Sequence, residues 1–245
     1  MALAGVVVLS LLAGAAVNYL ADVLPHAARG PICLQCGERL SAADYFRWWQ
    51  PCPHCGRRRW RHGVVLALMA AAGAGLWLSP PKWGFWAVWV VVVYALAVVV
   101  MDVEHRLILH SVSSAGALLG LALGAWRHGW AATLLGGVSG AGVMLALFFL
   151  GNGYALWKAR RAGEPPPEEP ALGFGDVTLM GGLGLLLGWP GVWAGLTFAV
   201  LLGGAFSVLF LLYGLLRWRR WRLDAYIPYG PFLVLGALAV IWLAK

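Results

Sequence analysis

The sequence predicts an all-α polytopic membrane protein with about eight transmembrane helices and one small cytoplasmic loop that contains all of its cysteines. Of the 245 residues, 61% are hydrophobic and 11% are charged, and the mean hydropathy is +0.77. A soluble domain of this length would be about one-quarter charged. Apolar runs near or above the roughly 18 residues needed to cross a bilayer recur along the whole chain. Together these observations exclude an ordinary soluble fold.

The predicted spans are eight apolar segments. The first lacks a basic N-terminal region and is too long for the apolar core of a signal peptide, so we interpret it as a transmembrane helix. The sixth is short, and Trp189-Pro190-Gly191 predicts the turn into the seventh. The spans are residues 3–24, 63–79, 84–103, 108–125, 130–157, 176–188, 190–216 and 228–244.

Three parts follow from these spans. Residues 1–24 are the first transmembrane helix, residues 25–62 are a cytoplasmic loop that we call the cysteine loop, and residues 63–245 are a seven-helix membrane core. A Pro- and Glu-rich segment, 158–172, separates the fifth and sixth spans. A basic segment, 217–224, precedes the last span and is predicted to lie at the lipid headgroups.

The positions of the basic residues predict the orientation. All but three of the 18 Lys and Arg residues lie on the side of the membrane that includes the cysteine loop; the exceptions are Lys82, Arg127 and Lys245. Cytoplasmic loops are enriched in Lys and Arg, so the N-terminus is predicted to lie outside. The net charge of +8 then reflects topology and attraction to anionic lipid of the bilayer. Because the basic residues flank spans and form no single patch, we expect no nucleic-acid partner.

The four cysteines form two CxxC pairs in the cysteine loop. The pairs are Cys33 with Cys36 and Cys52 with Cys55. Each pair is predicted to place two thiolates on one tight turn, whose backbone the glycine that follows suits. Two such pairs at this spacing indicate a structural Zn²⁺ site with four thiolate ligands and no open position for catalysis. Two disulfides, four separate thiols, or His54 in place of one cysteine are the alternatives. A cytoplasmic loop disfavours disulfides, and Zn²⁺ would fold a loop that has little core of its own.

Two carboxylates are predicted to lie at the cytoplasmic edge of the membrane. Asp102 ends the third span and Asp176 begins the sixth, and these spans run in opposite directions. If the two side chains meet, they share one proton beside a water molecule. One carboxyl group can then act as general base and the other as general acid in attack on a peptide carbonyl.

Simpler interpretations of these carboxylates are also open. Asp176 can be the N-cap of span six, and Asp102 can pair with Arg106 four residues later. Asp22 is interpreted only as a charge at the inner end of span one.

The glycines divide into two groups. Gly173 and Gly175 are the two glycines of the stretch GFGD, residues 173–176, and remove side chains beside Asp176, which would allow an extended substrate to approach. Others recur at four-residue spacing and are predicted to pack helices closely in lipid. The latter are Gly116, Gly120, Gly124, Gly136, Gly140, Gly184 and Gly188.

At this point the chain resembles the type IV prepilin leader peptidases, which are membrane aspartic proteases with a GxGD motif. Residues 173–176, GFGD, match that motif, and 101–108, MDVEHRLI, resemble the family's first-aspartate segment. Residues 227–232, IPYGPF, resemble the opening of its last span, and the paired CxxC loop is similar to that of full-length bacterial members. The chain has Thr178 where the family commonly has Lys.

The resemblance implies that Asp102 and Asp176 are the catalytic pair of an aspartic endopeptidase in the bacterial inner membrane. It implies cleavage of the short basic leader of prepilins and pseudopilins at the cytoplasmic face. Many bacterial members also methylate the new N-terminus with S-adenosylmethionine. Glu104 and the Glu-rich loop (Glu164, Glu168, Glu169) are expected to attract the leader, or else to be solvated bystanders.

Two other functions compete with this interpretation. A proton- or ion-coupled transporter would place its acids near mid-membrane, whereas these acids lie at one edge. A non-enzymatic zinc-loop scaffold of a secretion or pilus machine would explain the cysteines but not the GFGD motif. The sequence indicates neither the oligomeric state nor which pilin is cleaved.

Overall fold

The computed structural model describes residues 2–26, 30–33, 35–47, 49–163, 165, 170, 172–218 and 228–243. Within these ranges the regular structure is helical, apart from one isolated bridge between Ile32 and Arg39. The helices are α1 (Leu3–Val23), α2 (Ala42–Phe46), α3 (Trp60–Leu78), α4 (Phe85–His105), α5 (His110–His128), α6 (Trp130–Ala162), α7 (Phe174–Leu187), α8 (Gly191–Trp218) and α9 (Gly230–Leu243), with a 3-10 turn at Leu24–His26. The all-α prediction is confirmed.

Each predicted span coincides with a helix of the described residues. Five of these helices, α1, α3, α4, α6 and α8, are long and apolar enough to cross a membrane. Apolar helices α7 and α9 have 14 residues each, or about 21 Å at 1.5 Å per residue, less than a hydrocarbon core of roughly 30 Å. Helix α5 is less apolar because its first two turns carry a histidine and three serines. The prediction of eight crossings therefore stays a prediction for these three helices.

Residues Met1–His105 form one compact unit and Arg106–Ala244 another. In the first unit, α1 packs against α3 and α4. The indole Nε1 of Trp89 donates a hydrogen bond of 3.0 Å to Ser10 Oγ, which joins α4 to α1. Gly73 of α3 faces the same serine, and a Cβ there would lie 2.0 Å from Ser10 Oγ. The three helices therefore meet closely at this level.

Helix α7 lies at the centre of the second unit. It packs mainly against α5 and α6 and also contacts α8 and α9, and nine of its 14 residues are buried. A Cβ on Gly120 of α5 would lie 2.3 Å from Gly182 O, and one on Gly136 of α6 would lie 2.4 Å from Gly184 O. The predicted role of these glycines in close helix packing is confirmed. Enclosure by protein explains how so short a helix forms part of a membrane fold.

The turn between α7 and α8 matches the prediction. Helix α7 ends at Leu187, Gly188 has a φ of 65°, and a cis Trp189–Pro190 peptide leads into α8. The amide of Trp189 donates to Ala132 O at 2.8 Å, which attaches the turn to α6.

Helix α3 begins at Trp60, three residues before the predicted span, so Arg61 and His62 are helical. The division into residues 1–24, 25–62 and 63–245 stays a prediction. The acidic residues Glu164, Glu168 and Glu169 and the segment 219–224 lie outside the described residues.

Candidate functional site

The two CxxC pairs form two similar turns. In each, the amide of the glycine after the pair donates to the carbonyl of the first cysteine, Gly37 to Cys33 and Gly56 to Cys52, both at 2.8 Å. The two glycines have φ values of 74° and 68°, a left-handed conformation that glycine adopts at little cost. The CxxCG pattern thus sets each pair of thiols on one tight turn, as predicted.

The four thiols converge. All four sulfur atoms lie within 4.8 Å of one another, and the four cysteines are the one such group among the described residues, so His54 is not part of it. Cys33 Sγ lies 3.9 Å from Cys55 Sγ, and Cys36 Sγ lies 4.0 Å from Cys52 Sγ. A tetrahedral Zn²⁺ site with Zn–S distances of about 2.3 Å has S···S edges of about 3.8 Å. The thiols are free and fit a four-thiolate metal site.

A buried polar network lies beside the cysteine loop in the first unit. Its centre is Asp22, at the end of α1, which is only 1% exposed. Tyr45 of α2 donates its hydroxyl to Asp22 Oδ2 at 2.6 Å, and Arg61 Nη2 donates to the same oxygen at 2.6 Å. Arg61 Nη1 donates to Glu104 Oε2 at 2.5 Å. Arg61 therefore bridges two carboxylates on different helices.

Tyr45 also belongs to the small core of the cysteine loop. It is 2% exposed and clusters with Cys33, Leu40 and Cys52. Burial, followed by the negative charge of Asp22, raises the pKa of Tyr45 well above its usual range. The phenol therefore stays protonated and remains a hydrogen-bond donor.

A second arginine holds α2 in place. Arg59 donates from its guanidinium to the backbone carbonyls of Tyr45, Asp44 and Arg47. The last turn of a helix leaves carbonyl groups without helical partners, and a cation there also suits the helix dipole. Ser41 caps the other end, accepting from the amide of Asp44 at 3.1 Å. These contacts explain how a five-residue helix is stable in this loop.

The network borders a cavity of about 220 Å³ in the first unit. Its lining includes Asp22, Tyr45, Arg61 and Glu104 together with Cys33. Asn18 Nδ2 donates to His62 O at 3.4 Å and so joins α1 to the start of α3. The cavity thus lies where the cysteine loop meets the helix ends.

Asp102 lies in the last turn of α4 and is 6% exposed. Its neighbours Val100 and Met101 are buried as well. The helix ends at His105, and the next residue, Arg106, has a φ of 52°, unusual for a residue other than glycine. The backbone thus leaves the helix sharply after Glu104 and His105.

Asp176 lies in the first turn of α7 and is 7% exposed. The N-cap of α7 is Gly173, so the alternative interpretation of Asp176 as N-cap is wrong. Its carboxylate still lies where the positive end of the helix dipole favours a negative charge. The Asp176 carboxylate also acts electrostatically on the phenol of Tyr229, just before α9. Sequence reasoning did not single out Tyr229, although it noted the IPYGPF segment.

The glycines beside Asp176 have different surroundings. A Cβ on Gly175 would lie 2.9 Å from Ile108 Cβ, so this glycine allows α7 to pack closely on the segment before α5. A Cβ on Gly173 would lie 3.5 Å from Asp176 Oδ2, an ordinary contact distance. Thr178 donates to Gly175 O and shares a 2.9 Å hydrogen bond with Ser113. Packing therefore accounts for Gly175, and the approach of a substrate stays a prediction for both.

The structure brings some predicted residues together and adds others. The four cysteines converge, while Asp102 and Asp176 belong to separate units and their pairing stays a prediction. Asp22, interpreted as a plain charge at a helix end, is instead a buried network centre. In the sequence analysis Arg61 was only one of the basic residues outside the spans. Its position at the start of an apolar helix was the sequence feature that could have singled it out.

Comparison with known proteins is consistent with this arrangement. A model of the type IV leader peptidase family matches residues 89–208, which include Asp102, Gly173, Gly175 and Asp176. Over these residues the chain is similar to the type IV leader peptidase family. Most of α4 and all of α5–α7 fall within the match, so both candidate carboxylates lie in the part of the chain that matches the family model.

Three curated relatives carry the name prepilin leader peptidase/N-methyltransferase. Those of Burkholderia pseudomallei strains 1026b and K96243 are each 27% identical over an alignment of 220 positions, which covers 78% of this chain. The chain spans 66% of the length of these two relatives. The relative from Pectobacterium carotovorum subsp. carotovorum is 26% identical over an alignment of 272 positions, which covers 94% of this chain and 89% of the relative's own length. No solved structure matches the chain significantly.

Proposed function

We propose that the protein is a membrane aspartic endopeptidase that removes the short basic leader from type IV prepilins and pseudopilins. The observation that carries this proposal is the pair of buried carboxylates, Asp102 and Asp176, inside the segment that matches the leader peptidase family. Each belongs to a helix end in an apolar surrounding, where an ionised group is costly unless it has a function. The names of the curated relatives support the same reaction.

In the proposed mechanism the two carboxyl groups act as one unit. Two carboxylates that share a site do not both ionise readily, so the pair holds one proton. The ionised group accepts a proton from a water molecule as the water attacks the scissile carbonyl carbon. The protonated group donates to the carbonyl oxygen, and a proton then passes to the leaving amine as the C–N bond breaks.

The proposed membrane arrangement follows the basic residues. The N-terminus lies outside, and helices α1 and α3–α9 all cross the inner membrane. The cysteine loop and the helix ends that carry Asp102 and Asp176 face the cytoplasm. The substrate's apolar segment then lies in the bilayer, and its basic leader stays in the cytoplasm.

The four cysteines hold Zn²⁺ in this proposal, and Zn²⁺ has a structural role because four thiolates leave no position for a substrate. N-methyltransferase is part of the names of the relatives, and the family resemblance implies S-adenosylmethionine as the methyl donor. We assign no residue of this chain to it.

The test is cleavage of a co-expressed prepilin by wild type, Asp102→Asn and Asp176→Asn. Asparagine keeps the size of the side chain but cannot act as acid or base, so each variant should lose at least about 100-fold in rate. Glu38→Gln removes an exposed carboxylate from the cysteine loop and is the matched control. Membrane insertion is checked for every variant. Normal cleavage by either Asn variant would leave a scaffold as the better interpretation.

A further inference from the structure

The end of the helix that carries Asp102 is tied to the cysteine loop by a continuous chain of contacts. Tyr45 contacts Asp22, Asp22 accepts from Arg61, and Arg61 donates to Glu104. Glu104 lies two residues after Asp102 in the last turn of α4. The partners of Arg61 lie 39 and 43 residues away in sequence, so the contacts join α1, α3 and α4 and are not local.

The chemistry of this bridge is specific for arginine. The planar guanidinium presents separate N–H groups in a fixed geometry. Here Nη1 donates to Glu104 and Nη2 donates to Asp22. A lysine ammonium is a point charge and does not reproduce this fork. Because Asp22 is 1% exposed, loss of the positive charge would leave a buried carboxylate uncompensated. The bridge therefore requires, at position 61, a side chain that has both two donors in a fixed geometry and a positive charge.

The bridge would affect catalysis by fixing the position of the last turn of α4, which carries Asp102. Helix α4 ends at His105, and the φ of 52° at Arg106 turns the chain out of the helix directly after the turn that carries Asp102. The contact from Arg61 to Glu104 supplies a fixed point in that turn. A displacement of about 1 Å in a catalytic group can cost on the order of 100-fold in rate.

We propose that Arg61 is a positioning residue of the peptidase. By joining Glu104 to Asp22, which also contacts Tyr45 of the cysteine loop, Arg61 fixes the end of α4 and with it Asp102. The inference rests on the proposed peptidase activity. In this account Glu104 acts on catalysis through Arg61 rather than by binding the basic leader. Tyr45 connects this bridge to the cysteine loop, because its hydroxyl contacts Asp22 and its ring packs in the core around Cys33 and Cys52.

The test measures kcat and KM for a purified prepilin substrate with Arg61→Lys, Glu104→Gln and Tyr45→Phe. Arg61→Lys keeps the charge and removes the fork, so kcat should fall by about 10- to 100-fold while KM changes by less than about twofold. Glu104→Gln should show the same pattern, whereas loss of a leader-binding carboxylate would raise KM instead. Arg58→Lys, at an exposed arginine three residues earlier, is the matched control and should match wild type.

Two further readouts separate positioning from general damage. Hydrogen exchange of the peptide covering residues 98–106 should be faster in Arg61→Lys than in wild type, with the thermal transition in detergent measured alongside. The double variant Tyr45→Phe/Glu104→Gln should lose less kcat than the product of the two single losses, because both act through one bridge. Multiplicative losses would show that Tyr45 is not part of this control.

The same series includes Asp102→Asn, which separates the two hypotheses. If Asp102→Asn is inactive while Arg61→Lys and Glu104→Gln keep the kcat and exchange rates of wild type, the positioning role is wrong and the peptidase proposal stands. If Asp102→Asn cleaves normally, the peptidase proposal itself is wrong.

Discussion

Substitution of Gly136 by alanine tests the close packing of α7 most directly. The added Cβ would lie 2.4 Å from Gly184 O and 2.7 Å from the Cα of Gly188. Ordinary contacts begin near 3.4 Å, so α6 and α7 must separate by roughly 1 Å, and the atoms in the way are backbone. Overpacking of this kind costs about 1–3 kcal/mol of unfolding free energy. If α7 moves, Asp176 moves with it, and the cleavage rate should fall on the order of 100-fold.

Gly142→Ala is the matched control for this prediction. It lies on the same helix, and a Cβ there has no neighbour within 4 Å. Alanine favours a helix over glycine by up to about 1 kcal/mol, so this variant should be unchanged or slightly more stable. The assay compares thermal unfolding in detergent and prepilin cleavage for both variants. Equal stability and equal activity of Gly136→Ala and Gly142→Ala would refute the packing account of α7.

Three further predictions concern the first unit. Purified protein should contain about one Zn²⁺ per chain by elemental analysis, and Cys36→Ser should lose most of it; unchanged metal content would contradict the four-thiolate site. Ser10→Ala removes the acceptor of the Trp89 indole and should lower the unfolding free energy by about 1 kcal/mol, measured by denaturant titration. Arg59→Ala uncaps α2 and should speed proteolysis of the cysteine loop; an unchanged rate would contradict that capping role.

Local signals in the sequence predicted much of this structure. The CxxCG repeats predicted both turns, because each glycine takes up a left-handed conformation directly after the second cysteine. The turn at Trp189–Gly191 was equally clear, since proline and glycine interrupt an apolar run. The glycine spacing predicted helix contacts, and the structure identifies α7 as the shared partner of α5 and α6.

Long-range partners could not be predicted in this way. Asp22 looked like one more charge at a helix end because nothing near it in sequence shows that Tyr45 and Arg61 contact it. The close approach of Gly175 to Ile108 was not predicted either, and the substrate approach expected at Gly175 stays a prediction. In each case the decisive contact joins residues far apart in sequence, which local periodicity does not encode.

The central claim is that Asp102 and Asp176 act together in one reaction. Its most direct test is the rate of prepilin cleavage by wild type, each single Asn variant and the double Asn variant, with equal amounts of inserted protein. Catalytic groups that act as a unit are strongly non-additive. We therefore expect the double variant to be about as slow as either single variant. Single variants that cleave at the wild-type rate, or losses that multiply in the double variant, would contradict the account.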